Sequence, residues 1–437
     1  MSKALLSLEE QAAQAPIGIT AVPRFIVDLD ESPATRWKAV VDEYKQELLG
    51  FRESFRRDIA DIVGPAAMKI LDSFGSAMGG LASRFVKYGA EIRGFAKLSG
   101  LPVQEILVIQ FMYEAASACT SIVVNGEGPN GEPTHIRTMD WEMPDLKALT
   151  IEVEFWKNGK PLFISTTWPG YIGVLTGMKP FAFSSSVNFR VTGDSYVENL
   201  KKAVGYCWPI GFLLRAVMEE DTSYSQAVGS LTLSNLISPV YFTCCGVKQN
   251  EGCIITRNRS GEEQRYELEQ GPAVQSNIDH WSFDEYDDIL YSIERRELAK
   301  ETLFEMEQPI TKEKLFSLLS VHPILNDLTV SATWMCPRTG DFESRLPNIN
   351  YGFDPSPIPS TFGGAVRVNC SSCKRKFNPD KNVKKQCAHI GEWHSQFSDC
   401  GVGCARIGFT NIGKCHWSCC HDVRHDSPCR KSSYHKL

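Results

Sequence analysis

ACTSIVVNGEGPNGEPTHIRTMDW, residues 118–141, is the stretch on which the fold turns. Two β-prone runs, CTSIV and THIRTMDW, flank the turn-rich middle VVNGEGPNGEP, so the segment reads as a hairpin. Cys119 opens the first strand, with Arg137 18 residues on and Asp140 21 residues on. Strands of this length return the chain to its starting level and bring the three side chains together. Taken alone, these residues also fit a buried cysteine packed on a strand beside an Arg–Asp surface pair, because free cysteines are commonly core residues.

Upstream of the hairpin, residues 34–118 are rich in helix formers at 3.6-residue spacing, as in WKAVVDEYKQELLGFRESFRRDIADIV and VQEILVIQFMYEAAS. Downstream lie short β-rich runs broken by turn residues: LTIEVEFWKNG, PLFISTTWPG, VYFTCCGVK, GCIITRNR and QRYELEQ. Helical stretches interrupt them at PIGFLLRAVMEE and TSYSQAVGSLT, and again from about Asp284 to Ser320. Strands, helices and strands again predict stacked sheets covered by helices, an α+β layered fold. The Pro-, Gly- and Ser-rich segment 344–366 reads as a linker. The expected organisation is an N-terminal helical part over 1–118, a β-rich part over 119–343, the linker, and a separate module over 367–437.

That last module differs in composition from the rest. The 437-residue chain is 43% apolar and 22% charged, as ordinary globular proteins are. Its net charge of −6 divides into +7 for residues 368–437 and −13 for the remainder. Nine of the 15 cysteines and six of the nine histidines fall between Cys370 and His435. Disulfides need no histidine, so the mixture points to tetrahedral zinc, with a disulfide framework as the alternative. The expected ligands are Cys370, Cys373, Cys387, His389, Cys400, Cys404, Cys419, Cys420, Cys429 and His435. So small a segment with few apolar runs would depend on the metal to fold.

The opening MSKALLSLEEQAAQAPIG has no charged region followed by an apolar run, and no stretch approaches the ~20 apolar residues of a membrane span. A cytoplasmic protein is expected. No G-x-S-x-G, H-E-x-x-H or P-loop pattern occurs, so serine-hydrolase, zincin and nucleotide-dependent chemistry have no local support. Nucleic acid is not an expected partner, for no basic-aromatic interleaving accompanies the basic tail.

Several motifs carry a resemblance. EIRGFAKLSGLPVQEILVIQFMYEAASACTSIV, TMDW, TWPGYIGVLTGMKPFAFSSSVNFR, GCIITRNR, NIDHW and PILNDLTVSATWMCPRTGDFES stand in the order and near the spacing of the acid ceramidase and N-acylethanolamine acid amidase family. The likeness runs from about Pro23 to about Glu343, and the tail resembles the CHORD type of zinc module, which acts in protein interaction. The family resemblance implies an αββα-layered N-terminal-nucleophile hydrolase that cuts its own chain between Ala118 and Cys119. It then hydrolyses a fatty-acid amide, ceramide or an N-acylethanolamine, through a thioester and without a catalytic cofactor. Cys119 matches the nucleophile, Arg137 and Asp140 the pair holding its amine, and Asn277 the oxyanion-side asparagine. Arg295 matches a second arginine, with Arg296 as its alternative. Trp141, Trp168, Tyr171 and Asn188 are candidates for the substrate pocket, with Arg190 beside them, whereas His280 is read as a packed histidine.

The chemistry is coherent. A cysteine thiol is mostly protonated near neutrality and needs a base, and a freed α-amine, with an ordinary pKa of about 7.7–8.0, is suited to the task. Asp140 would orient that amine and Arg137 would hold negative charge on sulfur. The implied partners are a lipid substrate, peripheral contact with a membrane or lipid aggregate, and a protein for the tail. The family's lysosomal habit makes that compartment the alternative to the cytoplasm. A non-catalytic adaptor with a relic hydrolase body is the rival function, against which the joint presence of Cys119, Arg137, Asp140 and Asn277 argues.

Overall fold

A computed structural model describes residues 17–52, 87–111, 118–126, 132–190 apart from 142 and 144, 207–282 and 291–348. It also describes residues 56 and 73 and four two-residue strands beyond residue 366. The chain divides into two compact units, Met1–Asp354 and Pro355–Leu437.

The first unit is built on the strands β1 (Ile17–Ala21), β2 (Arg24–Asp28), β3 (Ala118–Asn125), β4 (Pro133–Asp140), β5 (Ile151–Lys157), β6 (Lys160–Thr167) and β7 (Thr176–Lys179). It continues with β8 (Phe183–Phe189), β9 (Val240–Cys245), β10 (Gly252–Arg257), β11 (Glu262–Glu267), β12 (Ala273–Gln275), β13 (Thr329–Cys336) and β14 (Asp341–Pro347). They form a six-stranded sheet, β1-β14-β13-β4-β3-β12, and an eight-stranded sheet, β11-β10-β9-β8-β7-β6-β5-β2. The hairpin expected from residues 118–141 is β3–β4, paired in register from Ala118↔Asp140 to Asn125↔Pro133.

Strand periodicity explains why this hairpin is buried on both sides. On β3 and β4 the even-numbered Ile122, Val124 and Ile136 pack with Leu303, Leu315 and Leu319 of the helices Ser292–Glu305 and Lys312–Leu319. The odd-numbered side chains face the other sheet: Cys119 and Met139 share a core with Val187 and Phe242, and Val123 packs with Tyr241 and Ile254. The helices Ile210–Glu220 and Tyr224–Leu233 contribute Phe212, Leu213, Val217 and Leu231 to the core against the eight-stranded sheet. Helices thus flank two facing sheets, the α+β layering expected.

Residues 1–118 contribute more than helices. Beside the helices over 38–52, Gly89–Ser99 and Val103–Ile109, they supply an edge strand to each sheet: β1 pairs antiparallel with β14 and β2 parallel with β5. Gly94 lets the Gly89–Ser99 helix approach the chain closely, since a Cβ there would lie 2.5 Å from the Pro33 carbonyl oxygen. Among the described residues no helix is long and apolar enough to cross a membrane.

In the second unit, residues 368–369 pair with 376–377 and residues 393–394 with 416–417. All ten expected zinc ligands lie outside the described residues. Among those described, no group of His, Cys, Asp and Glu gathers as a metal site.

Candidate active site

Cys119 is wholly buried at the start of β3, and it is approached from both faces of the strand. On the inner face, Arg137 places a guanidinium nitrogen 2.6 Å from the sulfur. Antiparallel pairing sets this up, because Cys119 lies opposite Met139 and Ser121 opposite Arg137 on one face. The guanidinium is held from behind by the Leu175 carbonyl at 3.1 Å and Thr176 Oγ1 at 2.6 Å. A fixed positive charge therefore stands where a thiolate's charge would form.

The main chain of Cys119 is held equally firmly. Its N–H donates to Asn277 Oδ1 at 2.7 Å, and its carbonyl accepts from Arg295 Nη1 at 2.6 Å and Asn188 Nδ2 at 3.2 Å. Arg295, from the first turn of the Ser292–Glu305 helix, also donates to Thr120 Oγ1, Asn277 Oδ1 and Ser292 Oγ. Two donors converge on Asn277 Oδ1, which identifies that atom as oxygen, and Nδ2 donates to the Phe189 carbonyl at 2.9 Å. The side chain expected to turn its N–H toward an oxyanion instead turns its oxygen toward the nucleophile's own nitrogen.

Asp140 stands apart from Arg137. Three residues along a strand reverse the face, so Arg137 points between the sheets while Asp140, opposite Ala118, lies toward the Arg295 helix. Its Oδ1 accepts from Thr329 Oγ1 at 2.7 Å, whereas Oδ2 has no hydrogen-bond partner among the described residues and sits 3.7 Å from Arg295. Burial pushes this carboxyl above its usual range, and Arg295, Thr329, Asn326 and Arg137 only partly oppose that. The family resemblance pairs Arg137 and Asp140 on the amine, whereas the chemistry expects Arg137 to hold negative charge on the sulfur and Asp140 to orient the amine. The structure gives the sulfur to Arg137, the nitrogen to Asn277 and the flank of the Ala118–Cys119 bond to Asp140.

The remaining candidates divide. Arg296 turns away to the Asp279 and Ser282 carbonyls, which leaves Arg295 as the arginine beside Cys119. Trp141, Trp168 and Tyr171 form a buried edge-to-face series, with centroids 5.5 and 6.4 Å apart, in the same core as Cys119. Gly211 makes room for this wall, for a Cβ there would overlap the Tyr171 hydroxyl. Asn188 ties Cys119 to the Gln275 and Ser276 carbonyls, and Arg190 is engaged by Asp279. His280 packs between Tyr266 and Trp281. Thr176, Ser292 and Thr329, which position these groups, carry no sequence signal: isolated hydroxyls are ordinary in loops and strands.

A family profile described as the beta subunit of N-acylethanolamine-hydrolyzing acid amidase matches residues 20–80. Acid ceramidase of Mus musculus is 34% identical over 349 residues, which is 74% of this chain and 86% of that protein. N-acylethanolamine-hydrolyzing acid amidase of Cavia porcellus is 32% identical over 350 residues, 78% of this chain and 95% of that protein. Among solved structures, a Caenorhabditis elegans ortholog of the latter enzyme is 34% identical, with a TM-score of 0.45, covering 51% of this chain and 94% of that one.

Proposed function

Since this chain belongs to the family of acid ceramidase and N-acylethanolamine-hydrolyzing acid amidase, we propose that it is a self-cleaving cysteine amidohydrolase acting on fatty-acid amides, with Cys119 as nucleophile. The observation that carries the assignment of residues is the double grip on Cys119: a guanidinium 2.6 Å from its sulfur and a carbonyl-type oxygen 2.7 Å from its nitrogen. A packed core cysteine requires neither.

In the first step the Cys119 sulfur attacks the Ala118 carbonyl carbon, the C–N bond breaks, and the acyl group moves to sulfur as a thioester while the nitrogen becomes a free amine. Water then opens the thioester, leaving Ala118 as a carboxylate and restoring the thiol. In turnover the α-amine takes the thiol proton, and the sulfur attacks the substrate's amide carbon. The leaving amine receives that proton, and water hydrolyses the resulting acyl thioester to release the fatty acid. Asn277 Oδ1 keeps the freed amine beside its sulfur, Arg137 stabilises the thiolate, and Asp140 balances the positive charge of Arg295 and of the amine once protonated. The aromatic series Trp141, Trp168 and Tyr171 supplies the apolar surface nearest the nucleophile for an acyl chain.

Intact-mass measurement after incubation from pH 4 to 8, with hydrolysis of a panel of fluorescent acyl amides, tests the reading. Fragments of 118 and 319 residues are expected. Hydrolysis by a chain that stays full length at every pH would overturn it. The spacing of donors in the tail supports structural zinc, and its resemblance to a zinc module that acts in protein interaction supports a protein-binding role for residues 367–437. Metal content of the full chain before and after chelation tests the zinc, and a chain ending near Pro357 should still process and hydrolyse.

A further inference from the structure

Between the two sheets, behind Cys119, lies a closed row of polar side chains that none of the steps above uses. His135 on β4 is wholly buried, its Nε2 is 2.9 Å from Ser186 Oγ and its Nδ1 is 3.1 Å from Ser184 Oγ, both on β8. Ser186 Oγ lies 2.9 Å from Ser121 Oγ on β3, and Ser121 Oγ lies 2.6 Å from Asn188 Oδ1. Asn188 Nδ2 reaches the Cys119 carbonyl together with those of Gln275 and Ser276. A buried polar row in a core of apolar side chains costs stability unless every member is satisfied.

The donors and acceptors allow one direction only. Three carbonyls around Nδ2 identify it as the donor end of the amide, so Oδ1 accepts and Ser121 must donate to it. That uses the single Ser121 proton, so Ser186 donates to Ser121. That in turn uses the Ser186 proton, so His135 must donate from Nε2. Burial, with Arg137 nearby, pushes the ring down to about 3 and keeps it neutral, so Nδ1 accepts from Ser184. Each step in the chain follows from the one after it, and the tautomer of His135 is set by the amide that holds the nucleophile's carbonyl.

We infer that His135 is a positioning residue for the nucleophile, acting through Ser186, Ser121 and Asn188 on the carbonyl of Cys119. The inference rests on Cys119 being the nucleophile. Its physical content is angular: Asn188 and Arg295 grip one carbonyl from two sides, and the direction of the row decides whether the Asn188 amide can present Nδ2 there. With the row broken at Ser186, Ser121 loses its donor and can point elsewhere, and the Asn188 amide loses the partner that orients it. Ser184 is on the far side of the ring, so its loss removes a partner from His135 without interrupting the path to Cys119.

This asymmetry makes the test. The kcat and KM of the enzyme processed from the whole 437-residue chain, on a fluorogenic acyl amide, are measured beside thermal midpoints for Ser186→Ala, Ser184→Ala, His135→Phe and His135→Gln, with Cys119→Ala assayed as the uncut chain. Ser186→Ala and His135→Phe should lower kcat about tenfold, the worth of roughly one well-made hydrogen bond, with KM held within about twofold. His135→Gln, which can still donate near the Nε2 position, should recover kcat to within about threefold of wild type. Ser184→Ala should lower the midpoint as Ser186→Ala does yet leave kcat within about twofold of wild type. Equal kcat for the two serine variants, or His135→Gln as slow as His135→Phe, would overturn the inference, and the serine pair decides it even where His135→Phe does not fold. Retained hydrolysis by Cys119→Ala would instead remove the nucleophile on which it rests.

Discussion

Two buried carboxylates of this protein, Glu91 and Asp140, are each set among arginines, and their surroundings separate a structural clasp from a chemical site. Glu91 accepts from Arg215 at 2.6 and 2.8 Å, Arg36 at 2.6 Å and Trp37 at 3.0 Å. Arg215 is itself stacked beside Tyr88 and Phe155 and donates to Glu219 and the Ile172 carbonyl. Burial pushes the Glu91 carboxyl up, but Arg215, Trp37 and Arg36 more than reverse this, and it stays below the usual range. Asp140 has one hydroxyl donor, an arginine 3.7 Å away and an oxygen without a hydrogen-bond partner among the described residues, and is pushed the other way. A saturated carboxylate can only hold. An unsaturated one beside a bond to be broken can still take on a partner when that bond opens. The clasp also joins the two sides of that bond, Glu91 before Cys119 and Arg215 after it, so with the edge strands β1 and β2 it would keep the cleaved fragments together.

The sharpest break of this comparison is Cys119→Ala, which should abolish both self-cleavage and turnover while the thermal midpoint stays near wild type, because the clasp is untouched. An uncut chain with residual hydrolysis, seen by intact mass and product assay, would detach the site from its chemistry. Next come the two carboxylates exchanged for their amides. Asp140→Asn should lower turnover on the order of 10²–10³-fold with unchanged or raised stability, as removal of a preorganised charge does. Glu91→Gln should leave Arg215 with Glu219 as its remaining carboxylate and Arg36 without the Glu91 charge, and cost about 3–5 kcal/mol, read by denaturant titration, with kcat per folded molecule near wild type. Similar phenotypes for the two would erase the distinction.

Asn277→Ala should slow turnover about 10²-fold or more. Because Oδ1 faces the Cys119 nitrogen, the loss should be accompanied by a changed pH–rate profile as the amine loses its acceptor. An unaltered profile would restore the oxyanion role.

The smallest effect is on stability against pH. The folded-state pKa of Glu91 is lowered, so its contribution is present above the ordinary value of 4.5 and is lost as pH falls through the lowered one. His135 falls from 6.5 to about 3 on folding, so the unfolded chain binds the extra proton between those values and stability rises with pH across that window. Asp140 has the opposite sign: its raised folded-state pKa favours the protonated form, and its contribution declines as pH climbs from 3.8 through the raised value. Melting of wild type and Asp140→Asn from pH 3 to 7 should therefore show the variant gaining on wild type as pH increases. A constant difference would mean that folding does not raise the Asp140 carboxyl above its ordinary value.

Much of this was legible in the chain itself. The hairpin followed from β-prone runs around a turn, and the layered α+β architecture from the order of strand-like and helix-like segments, since both depend on local propensity and period. The residues gathered at Cys119 followed from the order of the motifs that carry the family resemblance. Faces and partners were decided in three dimensions. The spacing of Arg137 and Asp140 suggests neighbours, yet an odd separation on a strand sends them to opposite sides of the sheet. Arg295 and Arg296 are indistinguishable by sequence, and the first turn of one helix aims only Arg295 at Cys119. The orientation of the Asn277 amide, the clasp on Glu91 and the row from His135 to Asn188 join residues 18 to 158 positions apart. Hydrogen-bond direction is a property of which donors meet which acceptors, and a linear sequence does not contain those meetings until packing brings the strands face to face.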